Sequence, residues 1–151
     1  LLLAGVSLGH DVKYATPEGM EPNREVIDRA EKIAKQTGAE ITATNDPIEA
    51  VSDAGVIYTD IFVSMGEEHI KDKFAAFDGF QVNEELVSNA KDNYLFMHCL
   101  PAHRGEEVTD AVIDSKNSIV FDQAENRMWA QMSLLTYMCN PIAWEAYRDL
   151  Y

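Results

Sequence analysis

The chain has 151 residues and 46% hydrophobic content, enough for one domain with its own core. Its formal net charge of −14 repels phosphate backbones and anionic lipid, which argues against nucleic-acid and membrane partners. Two cysteines in unlike contexts form no disulfide framework and point to a reducing cytoplasm, and no run approaches the length of a membrane span.

In chain order, Leu1 to Leu8 reads as the end of an apolar helix closed by Gly9. Val12 to Ala15 is a short strand. Asn23 caps a helix whose positions Val26, Ala30, Ile33 and Thr37 keep the 3.6-residue period, and Gly38 ends it. Glu40 to Thr44 alternates as a strand. Asp46-Pro47-Ile48-Glu49 has the form of a capping box with proline at the first helical position, and predicts a helix to about Ala54. Gly55 to Thr59 is a buried strand, followed by a loop from Asp60 to Gly66 and a helix from Glu67. Asn83 caps a helix from Glu84 to Ala90. Tyr94 to Met97 is a strand, Thr109 to Asp114 a short helix, and Ser118 to Phe121 a last strand. A second capping box at Asp122-Gln123-Ala124-Glu125 opens a long helix to about Met138.

Strands alternating with helices predict an α/β fold: a doubly wound, mostly parallel, Rossmann-like sheet with helices on both faces. The chain opens on a helix with no strand before it. In the usual order the first strand is central, between those at Val12 and Val56, so the central strand is expected to be missing from this chain. Ligands bind such sheets beyond the carboxyl ends of the strands. Three polar segments fall there: Asp60 to Gly66, His98 to Arg104, and Asp122 to Arg127.

The densest chemistry is Met97-His98-Cys99-Leu100-Pro101-Ala102-His103-Arg104-Gly105-Glu106-Glu107. Cys99 reads either as a small buried hydrophobe or, just past a strand end, as a nucleophile, a thiolate base or a ligand contact. A zinc site needs three or four convergent ligands, and no second Cys/His pair accompanies His98, Cys99 and His103, so no metal is expected. Asp60 either caps its own loop or offers a carboxylate to a cationic ligand, with Ser64 and the Met65-Gly66 backbone adding polar contacts. Arg127 is either ion-paired with Glu125 or Asp122 or, with its helix N-terminus, forms an anion site. Met128, Met132, Leu135 and Cys139 form an apolar stripe, in a core or an interface. Glu106 and Glu107 read as a solvated face, and Cys139 as packing.

Three of these motifs together resemble the ornithine carbamoyltransferase signature. They are His98-Cys99-Leu100-Pro101 with Arg104-Gly105-Glu106-Glu107-Val108-Thr109-Asp110, Phe121-Asp122-Gln123-Ala124-Glu125-Asn126-Arg127, and Ser64-Met65-Gly66 following Asp60. Order and spacing match over nearly the whole chain. That family transfers the carbamoyl group of carbamoyl phosphate to the δ-amine of L-ornithine, giving L-citrulline and phosphate, with no cofactor or metal.

The resemblance implies an ornithine-binding domain over residues 1–151, incomplete at its N-terminus, with the carbamoyl phosphate-binding domain absent. It implies that Asp60, Ser64 and Met65 hold ornithine, and that Cys99 and the Leu100 carbonyl meet both substrates. Arg127 is implied as a carbamoyl phosphate ligand. Cys99, Asp60 and Arg127 form the implied catalytic set. It further implies a cytoplasmic homo-oligomer, a trimer when full length, and little turnover by the isolated chain. The alternatives are a non-catalytic binding or assembly module and a carbamoyltransferase for another amine such as putrescine.

Overall fold

A computed structural model describes residues 1–63 and 71–148. Helix α1 (Leu2–Ser7) leads into β1 (Val12–Ala15), and α2 (Arg24–Thr37) into β2 (Ile41–Thr44). Asn23 caps α2 by accepting from the Glu25 N–H, and Gly38 closes it at φ +81°, a left-handed conformation that glycine adopts freely. Val6, Ala30, Ala34 and Ala39 make a small core between these elements. Gly5 lets α1 settle onto β1, since a Cβ there would lie 2.6 Å from Val12 Cγ2.

Helix α3 (Pro47–Val51) starts as expected, with Asp46 accepting from the Ile48 N–H at 2.8 Å. Glu49 does not complete the box. Its carboxylate takes the Thr44 hydroxyl at 2.5 Å instead, because Thr44 ends the adjoining strand within reach. Then come β3 (Val56–Thr59), α4 (Lys71–Ala76), α5 (Glu84–Val87), β4 (Leu95–His98), α6 (Asp110–Ile113), α7 (Val120–Cys139) and α8 (Pro141–Arg148). The main core lies around β3 and β4. Phe96, Val108, Val112 and Val120 are almost wholly enclosed, and Phe96 alone contributes about 3 kcal/mol of apolar burial.

β1 pairs with β2 in parallel, Val12 opposite Ile41, and β3 pairs with β4 in parallel, Val56 opposite Leu95. The fold is therefore α/β, parallel and Rossmann-like, in two strand pairs. Among the described residues no strand is hydrogen-bonded between β1 and β3. This is the arrangement expected of a doubly wound sheet whose central strand lies outside these residues.

Three expectations are corrected. β3 is not buried throughout: Val56 and its partner Leu95 share an open face, exposed by 55% and 41%. The last strand shrinks to a bridge between Ser118 and Phe96, because the chain turns into α7 at Val120 to bury that side chain. Asp122 then lies inside the first turn and caps nothing; Ile119 is the residue before the helix. Of the two readings of the stripe Met128, Met132, Leu135 and Cys139, burial in this chain's core does not hold: these residues are exposed, as are Phe121 and Met138. Nothing described packs over it beyond α8, where Trp144 meets Tyr137 edge-on at 5.5 Å. No helix among the described residues is long and apolar enough to cross a membrane.

Candidate active site

Parallel pairing of β3 and β4 brings their carboxyl ends side by side, Thr59 opposite His98. The next residue on each strand is a functional one, Asp60 and Cys99. The Cys99 thiol donates to Asp60 Oδ1 at 3.0 Å, and the same oxygen accepts the Ile61 N–H at 2.8 Å. Asp60 thus orders its own loop, and its carboxylate stands at the strand ends.

The Tyr58 hydroxyl neighbours both Cys99 and the Gln123 side chain. The Cys99 side chain is accessible, yet its neighbours shield the sulfur, and this partial burial is the first reason its pKa lies above the usual thiol range. The bond to Asp60 adds to the rise. Tyr58 is likewise raised, first by burial and then by Cys99. Cys99 is thus a neutral thiol near pH 7, holding its proton against a carboxylate. A raised pKa does not favour a thiolate nucleophile.

The turn after Cys99 is held by His98, Leu100, Pro101 and, against expectation, Glu107. Leu100 sits at φ +55°, unusual for a branched side chain, and a cis peptide joins it to Pro101. His98 Nδ1 accepts the Leu100 N–H at 2.9 Å, so the ring proton sits on Nε2. That nitrogen faces Glu107 Oε1 at 3.2 Å, off the ideal hydrogen-bond line. His98 and Glu107 are both completely buried. The expectation of a solvated Glu107 is therefore corrected. Its carboxylate is drawn inside by the His103 N–H at 2.6 Å and by His98, while Val108 beside it fills the core. Alternation with a charged neighbour, Glu106, hid this in the sequence.

His98 and Cys99 point apart, one to Glu107 and the other to Asp60, so they do not converge on a shared metal. Arg104 is also engaged. Its guanidinium forks onto Asp114 at 2.6 and 2.9 Å and reaches Asp110 at 2.7 Å, which raises its own pKa and lowers that of Asp114.

Helix α7 begins beside β4 and runs past its end. Gln123 Oε1 accepts the His98 N–H at 3.1 Å, which pins the first turn of the helix to the site. Arg127 follows four residues later on the same helical face. It is exposed, and neither Asp122 nor Glu125 pairs with it. Ser64 and Met65, the other implied ornithine contacts, lie outside the described residues. Tyr58 and Gln123 are the site residues that sequence reading passed over. Tyr58 looked like an ordinary strand residue, and Gln123 like part of a cap.

Residues 1–138 match the family model for the aspartate/ornithine carbamoyltransferase Asp/Orn binding domain. The chain belongs to this family. It is 57% identical over 136 residues to the catabolic ornithine carbamoyltransferase of Thermoplasma acidophilum, covering 89% of this chain and 45% of that protein. It is 54% identical over 143 residues to the anabolic ornithine carbamoyltransferase of Pyrococcus furiosus, covering 94% and 45%. The solved P. furiosus ornithine carbamoyltransferase superposes with a TM-score of 0.85 at 55% identity, over 89% of this chain and 44% of that one. The anabolic enzyme of Campylobacter jejuni superposes at 0.87 with 35% identity, over 93% and 46%. The chain spans under half the length of these relatives. Within the family domain, the Asp60–Cys99 pair stands where parallel strand ends present groups to a ligand.

Proposed function

We propose that residues 1–151 form the ornithine-binding half of an ornithine carbamoyltransferase, completed by a carbamoyl phosphate-binding domain. The observation that carries this reading is the Cys99–Asp60 pair at the ends of β3 and β4. A carboxylate with a neutral thiol beside it suits a cationic primary amine, and the net charge of −14 favours its approach. Ser64 and Met65 hold the rest of ornithine, and Asp60 receives the δ-ammonium.

In the reaction, the deprotonated δ-nitrogen attacks the carbamoyl carbon. The new C–N bond forms as the bond to the phosphate oxygen breaks, and phosphate leaves with the electron pair. Asp60 is placed to take a proton from the amine, and Cys99 fixes the amine's direction of approach. The Leu100 carbonyl, presented by its left-handed backbone, contacts the substrates. Arg127 meets the negative charge of carbamoyl phosphate and of the leaving group. The absence of a partner for Arg127 among the described carboxylates supports that role.

Calorimetry with L-ornithine on the purified chain tests the reading. Binding that is lost in Asp60→Asn supports it, and no detectable heat at millimolar ornithine sinks it. A citrulline assay tests the half-site arrangement. Little turnover is expected from the 151-residue chain alone, and turnover matching a complete carbamoyltransferase would overturn that arrangement.

A further inference from the structure

We propose that His103, Glu106 and Glu107 form a binding site for a divalent transition-metal cation of the zinc class. The site is separate from the Asp60–Cys99 pair. A ring nitrogen of His103 and one carboxylate oxygen each of Glu106 and Glu107 lie within 4.8 Å of one another. His103 Nδ1 and Glu106 Oε2 are 3.4 Å apart. Nitrogen and oxygen ligands about 2.0–2.2 Å from a tetrahedral zinc stand about 3.3–3.5 Å from each other, so this spacing matches one edge of the coordination shell. One imidazole and two carboxylates form a donor set of zinc type, and three protein ligands leave a fourth position open.

A second observation is independent of that clustering. Glu107 is wholly buried, and its Oε2 has no hydrogen-bond partner. Its other oxygen takes the His103 N–H and faces His98, whose Nδ1 is occupied as an acceptor. Beyond these two neighbours, no described group reaches this carboxylate. A buried carboxylate is stable when it is paired or coordinates a metal. The half-exposed His103 and Glu106 side chains provide the way in from solvent.

The backbone holds the ligands in place. Gly105 at φ +86° makes the tight turn that folds Glu106 back over His103, with the Glu106 N–H donating to His103 O at 3.0 Å. Gln81 Nε2 donates to the carbonyls of Gly105 and Glu106 at 2.8 and 2.9 Å, and the Val82 N–H donates to Glu107 O at 2.8 Å. A cation here ties the end of the segment that begins at Cys99 and steadies the Leu100 turn.

Titration of the purified chain with Zn²⁺ by calorimetry, and with Co²⁺ by absorption, tests the site. The expected result is stoichiometric binding, weakened at least about tenfold in His103→Ala and in Glu106→Ala and unchanged in Cys99→Ser. The Co²⁺ spectrum should lack the intense near-ultraviolet band of a thiolate ligand. Both alanine changes are at half-exposed side chains, so they leave the fold intact, and circular dichroism checks this. Unchanged affinity in both alanine variants, loss of binding only in Cys99→Ser, or no binding at millimolar Zn²⁺ would each overturn the proposal.

Discussion

The Cys99 thiol donates a 3.0 Å hydrogen bond to Asp60, joining residues 39 apart in sequence across the ends of two parallel strands. The bond and the shielding of the sulfur keep the thiol protonated beyond its usual range. Cys99 alkylation, measured in a Cys139→Ser background because Cys139 is also exposed, should therefore have its pH midpoint above that of a free thiol. Asp60→Asn removes the negative charge, lowers the midpoint and speeds alkylation near pH 7. An unmoved midpoint would separate the thiol from Asp60.

The same shift has a consequence for stability. A group whose folded pKa is raised contributes stability that is fully present below its unfolded pKa and is lost as pH rises through the folded value. Wild type should thus lose stability across the alkaline side of the thiol range, and Cys99→Ala should show a flatter alkaline profile in urea unfolding.

Glu107 and His98 are buried together behind the Leu100 turn. Glu107→Ala leaves the His103 N–H and the His98 Nε2–H facing a cavity. The expected loss is about 1–3 kcal/mol, read as a lower urea midpoint at an unchanged slope. A loss below about 1 kcal/mol would mean that these donors find water instead.

Two glycines should respond for different reasons. Gly38→Ala meets no atom within 4 Å but must hold φ +81°, costing about 1 kcal/mol, and Gly38→Asn should recover part of that. Gly5→Ala improves helix propensity in α1 yet drives a methyl into Val12 Cγ2, so overpacking of about 1–3 kcal/mol wins. Thermal unfolding of both variants checks the order.

Arg127 is exposed and carries no described ion pair, so Arg127→Ala should change stability by no more than about 0.5 kcal/mol. Ornithine binding by the chain should be unaffected. In a complete carbamoyltransferase containing this half, the same change should raise the carbamoyl phosphate requirement steeply. A large drop in melting temperature would reassign Arg127 to packing.

Helix α7 exposes Phe121 by 72% and Met138 by 69%, with Met128, Met132 and Leu135 between them. A contiguous apolar face of this kind drives association. Light scattering should rise with concentration, and Leu135→Lys with Met138→Lys should suppress it without lowering helical content.

The sequence by itself determined the order of elements. Asn23, Gly38, Asp46, Asn83 and Thr109 act locally, through side-chain caps and a left-handed turn, and each stands where its residue type predicts. Asp60 and Cys99 were legible as polar positions directly after the apolar strands β3 and β4. Tertiary structure decided what local chemistry cannot. The burial of Glu107 depends on His98, nine residues earlier, closing over it. The start of α7 depends on Val120 finding the core, which overrode a good cap at Asp122. The protonation of Cys99 depends on Asp60, which only the parallel pairing of β3 and β4 brings within 3.0 Å. Hydrogen bonds and shielding fall off within a few ångströms, so such properties appear only when the chain brings distant residues together.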